Sequence, residues 1–392
     1  MAPAETVARA RPYFREMGIT RVANVTGLDR LGIPVVMVTR PNARSIAVSQ
    51  GKGLDLDAAR ASGIMESMES FLAEHIQLPL KWGTRADMTA QHNVVTVGDL
   101  PLAAGARSID EMRVLWSESM DLISGQPVWI PFELVHTDYR RPAEPGSGYF
   151  LCSSNGLASG NTYLEAVVHG ACEVIERDAN ALWNRLTPEQ RAATGVDPDS
   201  ISHSECRELL RRYEAAAVDV AIWDMTTDIG LPAFYCQIHG RHRHDSHSGA
   251  GAGCHLTRDV AMLRALTEAA QVRTTYITGS RDDLSPQDYS GASRRQKDDH
   301  SKRLIAQHTP VRDFRGAPDW QTGSFAADIK VIAERLGNIG VYSLFVTDLS
   351  RPPFPIHAVK VVIPAIEGVD EHPQYRAGRR ARNSAFHMGL TQ

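Results

Sequence analysis

Glu165, His169, Glu173 and Glu176 stand four, four and three residues apart. On a helix that spacing places them on a single stripe. Like charges so placed repel by roughly 0.2–0.5 kcal/mol per pair on an exposed face, and by more in a drier one. Only Arg177 is near enough in sequence to relieve them, and it lies beside the stripe. The stripe is therefore either a solvated acidic face or a seat for a cation. A hard ion such as Mg²⁺ takes carboxylate oxygens and fills the rest of its shell with water or phosphate. Taken alone, the solvated face is the simpler reading.

The pattern recurs, which shifts the balance toward a cation. A shift of 107 positions lays Gly53 on Gly160, Gly63 on Gly170, Glu66 on Glu173 and Glu69 on Glu176. A third copy follows the Gly-Ala-Gly-Ala-Gly run at 249–253, where Glu268 matches Glu173 and Gln271 matches Glu176. Each copy is a glycine-rich lead into a helix with an acid, then an acid or amide three residues on.

The elements that must carry these groups are legible around them. Thr162 is an N-cap with Glu165 at capping-box spacing. Leu164, Val167, Val168, Ala171, Val174 and Ile175 recur at helical spacing, so one face is buried. Strand, turn and strand are expected around Asn24-Val-Thr26 with Gly32-Ile-Pro34, around Asp224-Met-Thr226 with Gly230-Leu-Pro232, and around Asp348-Leu-Ser350 with Pro355. Apolar helical stretches at 4–17, 205–216 and 326–337 precede them. The expected fold is α+β, with internally repeated helix–β-hairpin–helix units around a central cavity. The period is too long and irregular for a solenoid.

Other groups are weaker signals. Lys52 sits in Gly51-Lys52-Gly53, which lacks Walker A spacing. A glycine loop before a helix can still aim N–H groups at phosphate, though a lone lysine reads more simply as surface. Arg273 and Arg281 are candidate forked donors to phosphate, or helix-end arginines paired with Asp282 and Asp283. His239, His242, His244, His247 and His255 fit no zinc spacing and read as a mobile polar loop. Residues 76–150 read as a loop-rich link without chemistry, 185–203 as a surface excursion, and 285–325 as a polar loop with a solvated Arg294-Arg295-Gln-Lys297 run. Residues 1–20 read as a surface helix, and the basic stretch at 370–392 as a disordered tail rather than a dock for an acidic peptide or partner.

The chain has 392 residues, 43% of them hydrophobic, enough for one large domain or two fused halves. A net charge of −4 gives no case for nucleic acid or a membrane surface. Five cysteines without a C-x-x-C pair argue for a reducing, cytoplasmic setting. The N-terminus lacks a signal-peptide pattern, and no run of about 18 apolar residues exists.

Three stretches together resemble the YcaO superfamily. They are Ser62-x-x-x-Glu66-x-x-Glu69, then Ser154-Asn-Gly-Leu-Ala-Ser-Gly-Asn161 with Glu165, Glu173-x-x-Glu176-Arg177-Asp178, and Glu268-x-x-Gln271-x-Arg273 with Arg281-Asp-Asp. The likeness covers most of residues 20–365, in a single domain spanning 1–392. It implies an ATP- and Mg²⁺-dependent enzyme that activates a peptide backbone amide. Glu66, Glu69, Glu173 and Glu176 match the acids that hold Mg²⁺ on the triphosphate. Asn161, Glu165 and Arg177 match positions around the nucleotide, and Ser62 matches the serine that opens the first motif. Lys52, His169, Gln271, Arg273 and Arg281 complete the expected nucleotide site. Three positions depart from the pattern: Ser70 follows Glu69 where an arginine is common, Ala158 replaces a serine and His169 replaces a glutamine. The Pro-x-Pro-x-Pro tail of azoline-forming members is missing.

The opening Thr20-Arg-Val-Ala-Asn-Val-Thr-Gly-Leu-Asp-Arg-Leu-Gly-Ile-Pro34 is similar to YcaO proteins that pair with TfuA and install thioamides, and it also resembles stand-alone members acting in peptide natural-product pathways. That likeness implies a ribosomally made peptide or protein as substrate, a TfuA-like partner delivering sulfur and a homodimer. Azoline or macroamidine formation is the alternative within the family. The rival outside catalysis is a nucleotide- or peptide-binding scaffold. In the enzyme, no side chain of its own need act as nucleophile, because positioning and charge neutralisation suffice for phosphoryl transfer.

Overall fold

Runs of β-branched residues between glycines and prolines make short strands here, and amphipathic helices lie across them. The computed structural model describes residues 1–106, 112–242 and 247–390. Its strands are β1 (Arg21–Asn24), β2 (Val35–Thr39), β3 (Val48–Lys52), β4 (Leu80–Gly83), β5 (Val114–Asp121) and β6 (Gln126–Pro131), followed by β7 (Leu157–Gly160), β8 (Val218–Asp224), β9 (Ala233–Gly240), β10 (Ser248–Cys254), β11 (Phe345–Asp348) and β12 (His357–Val362). The helices are α1 (Pro3–Ala10), α2 (Phe14–Met17), α3 (Leu56–Glu74), α4 (Arg85–Thr89), α5 (Tyr163–Trp183) and α6 (Pro188–Ala192), followed by α7 (Ser204–Ala215), α8 (Arg258–Thr278), α9 (Gly291–Ala306), α10 (Phe325–Asn338), α11 (Arg379–Arg382) and α12 (Ser384–His387).

Three antiparallel sheets result. One has the order β1-β2-β3, the second β10-β9-β8, and the third β4-β5-β11-β12-β7 with β6 also paired to β5. The helices α3, α5 and α8 follow β3, β7 and β10 directly and pack back on them. Asp55 caps α3 by accepting from the Ala58 N–H at 2.7 Å, and Thr162 caps α5 by accepting from the Glu165 N–H at 3.2 Å.

The glycine runs correct one expectation. Gly51 is a strand residue, not part of a phosphate-cradling loop, and Gly249–Gly253 likewise lie in a strand. Their missing side chains let a helix lie directly on the strand. A Cβ at Gly51 would stand 2.0 Å from the Ala59 carbonyl oxygen, and one at Gly251 2.3 Å from that of Ala265. Those contacts bring α3 and α8 close to their strands and fix which helix face turns away.

Four other segments differ from the sequence reading. Residues 76–150 contribute β4, β5 and β6 to the largest sheet, because Val114, Trp116 and Ile130 are buried there. The Arg294-Arg295-Gln-Lys297 run lies on α9, whose Ser301 and Leu304 face inward. His239 lies in β9 and is bonded to Asp298 of α9, while His255 caps the turn at Thr257. His244 lies outside the described residues.

The basic C-terminal stretch is docked through residue 390. The Arg380 guanidinium bonds Asp178 at 2.9 Å and Asp228 at 2.7 Å. Glu367 accepts from the Gly378 N–H at 2.8 Å, the Ala381 N–H at 2.8 Å and the Tyr375 hydroxyl at 2.7 Å. Charge on a carboxylate as buried as Asp178 is costly unless a cation offsets it, and the arm supplies Arg380. No described helix is long and apolar enough to cross a membrane.

Candidate active site

The outward faces of α3, α5 and α8 meet around a cavity of about 780 Å³. Glu66 and Glu69 enter it from α3, Glu165, Glu173 and Glu176 from α5, and Glu268 and Gln271 from α8. Acids from three separated stretches thus share one space.

Glu66, Glu69, Glu165 and Glu176 are each held by a defined donor. The Gln50 N–H donates to Glu66 at 3.3 Å, and the Ser159 hydroxyl to Glu69 at 2.6 Å. The Cys254 N–H donates to Glu176 at 2.9 Å, and Arg177 lies 3.4 Å from the same carboxylate. Glu165 accepts from the Asn161 N–H at 2.9 Å. Burial pushes the Glu66 and Glu173 carboxyls up to about 7. It also raises Glu69 well above the ordinary range, against the pull of Ser159. Crowded, half-buried carboxylates that resist ionisation are short of positive charge, and a bound cation supplies it.

The protein's own cations line the same cavity. Lys52 is bonded to Glu268. Burial raises Glu268, but Lys52 and Arg177 outweigh it and hold the carboxyl below its usual range. Arg281 lines the cavity while bonded to Asp283 at 2.7 Å. His169 accepts from Arg264 at 3.0 Å, and burial with that arginine pushes the imidazole down to about 3, so it is neutral. Ser62 accepts from the Lys52 N–H at 3.4 Å, and Gln271 donates to Gln50 at 3.2 Å. Asn161 accepts from the Thr6 hydroxyl at 3.0 Å, so α1 is a cavity wall.

The structure therefore gathers Lys52, Ser62, Glu66, Glu69, Asn161, Glu165, His169, Glu173, Glu176, Arg177, Gln271 and Arg281 at one cavity. Arg273 is the exception and corrects the expectation. It is buried, donates to Asp29 at 2.8 Å and to the His247 carbonyl, and does not line the cavity. Glu268, read in the sequence as the third-copy match of Glu173, lines the cavity too, whereas Arg264 and Thr6 were missed. Arg264 and Glu268 are separated by one helical turn from each other, as are Glu268 and Gln271, so their common face was readable from α8. Lys360 was missed as well. It is buried on β12 behind Glu69 and Glu173, and burial lowers it to about 8.

Among the described residues, no three acidic, imidazole or thiol groups already close on one point at metal-binding distance. Mg²⁺ carried on a triphosphate takes phosphate oxygens and water as well as carboxylates, so the protein supplies only part of its shell. The arginines at the cavity match phosphate geometry as forked donors. The donor set is all hard oxygen, the type Mg²⁺ selects.

The sequence matches the family of YcaO cyclodehydratases, described as ATP- and Mg²⁺-binding, over residues 50–367. The chain belongs to the YcaO family. A Rhizobium leguminosarum bv. trifolii relative, known as an uncharacterised protein in the tfuA 3′ region, is 38% identical over 98% of this chain and 92% of its own. An uncharacterised Methanothermobacter thermautotrophicus protein is 32% identical over 97% of this chain and 98% of its own. The YcaO protein of Methanopyrus kandleri, solved with AMPPCP and Mg²⁺, shares the fold with a TM-score of 0.76 at 23% identity, over 97% of this chain and 95% of that one. A heterocyclase solved with substrate and cofactor gives a TM-score of 0.78 at 21% identity; all of this chain matches 55% of that longer one. As a YcaO enzyme the protein uses ATP and Mg²⁺.

Proposed function

We propose that this YcaO enzyme activates a backbone amide of a ribosomally made peptide or protein by phosphorylating its oxygen once sulfide has added to the carbonyl carbon, so that loss of phosphate leaves a thioamide. The observation that carries amide activation is the meeting of Glu66 and Glu69 with Glu173 and Glu176 across one cavity. In their assigned roles, these four acids hold Mg²⁺ against the triphosphate. Arg177 and Arg281 meet phosphate charge, and Asn161, Glu165 and Ser62 shape the nucleotide's seat. Lys52, His169 and Gln271 border it.

The balance of the reaction is simple. Sulfide adds to the amide carbon, and the oxyanion so formed takes the terminal phosphoryl of ATP, releasing ADP. Phosphate leaves as the carbon–sulfur double bond forms. No cysteine is among the described cavity residues; Cys172, Cys206, Cys236 and Cys254 are buried, and Cys152 is half-buried. The sulfur nucleophile in this reading comes from outside the chain. The relative named for the tfuA region supports a TfuA-like protein as its carrier. Two copies of the chain form the working enzyme in the same reading.

Azoline formation is the second reading, supported by the family's cyclodehydratase description; macroamidine formation is a further variant. Intact mass separates the first two. Incubation of a candidate peptide with the enzyme, ATP, Mg²⁺ and sulfide should add about 16 Da, whereas cyclodehydration removes about 18 Da. A loss without added sulfide would overturn the thioamide reading.

A further inference from the structure

A second groove, of about 490 Å³, lies on the other side of α1 from the cavity. Its floor is apolar, from Val7, Phe14, Ile19, Val22 and Ile64. Its rim is basic, from Arg11, Arg21 and Arg60. The acid at the rim, Asp57, pairs with Arg60 at 3.1 Å, which leaves Arg11 and Arg21 as excess positive charge.

One wall is a free sheet edge. β1 pairs with β2 and forms the end of its sheet. The Val25 N–H bonds the Val35 carbonyl at 3.0 Å. By antiparallel alternation, Arg21 and Ala23 turn their backbone groups toward β2, and Val22 and Asn24 turn theirs off the edge. Such an edge is a template for another extended chain. Main-chain bonds then give affinity, while the flanking surface selects side chains.

The groove and the cavity share their walls. Ala4 and Val7 of α1 face the groove, while Pro3 and Thr6 face the cavity. Asp57, Arg60 and Ile64 of α3 face the groove, while Ala61, Ser62 and Met65 face the cavity. A chain held on β1 has only α1 to pass before it reaches the acids.

We propose that this groove holds an extended, acidic and apolar recognition segment of the peptide substrate, added as a strand to β1, apart from the residue modified in the cavity. The proposal rests on the reading that the substrate is a peptide. It is tested on the full chain with a short labelled peptide alternating valine and glutamate, and with its valine–lysine counterpart. Fluorescence anisotropy should show binding of the acidic probe alone, and hydrogen exchange should show protection of the Val22 and Asn24 amides. The double variant R21E/R60E should weaken the acidic probe by about tenfold, or about 1.4 kcal/mol, with Mg²⁺·ATP affinity unchanged by calorimetry. Equal binding of both probes, undiminished binding by R21E/R60E, or no binding of the acidic probe would overturn it. So would a wild-type dimer that R21E/R60E splits, which would give this face to a second copy. The nucleotide titration tests amide activation separately, so the two failures are distinct.

Discussion

The Ser159 hydroxyl donates to the Glu69 carboxylate at 2.6 Å, tying β7 to α3 at the rim of the cavity. It joins the first acidic helix to the strand that leads into the second. A hydrogen bond to a charged group contributes about 1.5–3 kcal/mol. Ser159→Ala should therefore weaken Mg²⁺·ATP binding by about tenfold or more, with little change in melting temperature. Calorimetric titration checks it; an unchanged affinity would show that Glu69 does not need this donor.

The titration of the acids gives a second expectation. Glu66 and Glu173 ionise near 7 in the folded protein, against an ordinary 4.5. Between those values the unfolded chain has lost protons that the folded chain keeps. Their contribution to stability thus falls as pH rises from 4.5 toward 7 and is flat above it. Glu66→Gln/Glu173→Gln should flatten the dependence of melting temperature on pH across that window. In the wild type, Mg²⁺·ATP affinity should climb over the same range, with protons released on binding. Calorimetry in buffers of different ionisation enthalpy counts those protons.

Arg380 is the keystone of the C-terminal arm. Arg380→Met strands Asp178 in the interior, and breaking a buried pair costs about 3–5 kcal/mol. Denaturant unfolding should show that loss. Limited proteolysis should then cut after residue 367, where the wild type resists. Equal stability and equal resistance would show that the arm does not depend on this pair.

Arg273 separates structure from chemistry. Arg273→Met should cost stability on the same scale, about 3–5 kcal/mol, by leaving Asp29 without its partner. Mg²⁺·ATP affinity measured well below the melting temperature should stay within about twofold, a shift near 0.4 kcal/mol. A selective loss of nucleotide binding would return Arg273 to the site.

The acids were legible because helical spacing is a local rule. Glu66 and Glu69, and Glu173 and Glu176, share faces whatever the tertiary fold. The same rule excludes Arg273, since residues two apart, such as Gln271 and Arg273, cannot share a helix face. Lys360 was legible in principle as a charge inside the run Val359-Lys360-Val361-Val362. The docked arm was not, because Arg380 finds Asp178 and Asp228 across 202 and 152 residues of chain. Thr6 was hidden for the same reason, with its partner Asn161 at a separation of 155. The glycine-rich leads into α3 and α8 were legible, but the loop expected at Gly51 is a strand. Composition marks where a side chain is absent, and only the packed helix shows that its absence serves close contact rather than a phosphate.

In the proposed mechanism, carboxylates from α3 and α5 grip one nucleotide through Mg²⁺. The direct measurement is calorimetric titration of Mg²⁺·ATP into the wild type, Glu66→Gln and Glu173→Gln, with circular dichroism confirming the fold of each. Both variants should lose about a hundredfold in affinity or more, near 2.7 kcal/mol. Wild-type affinity in both would contradict the account.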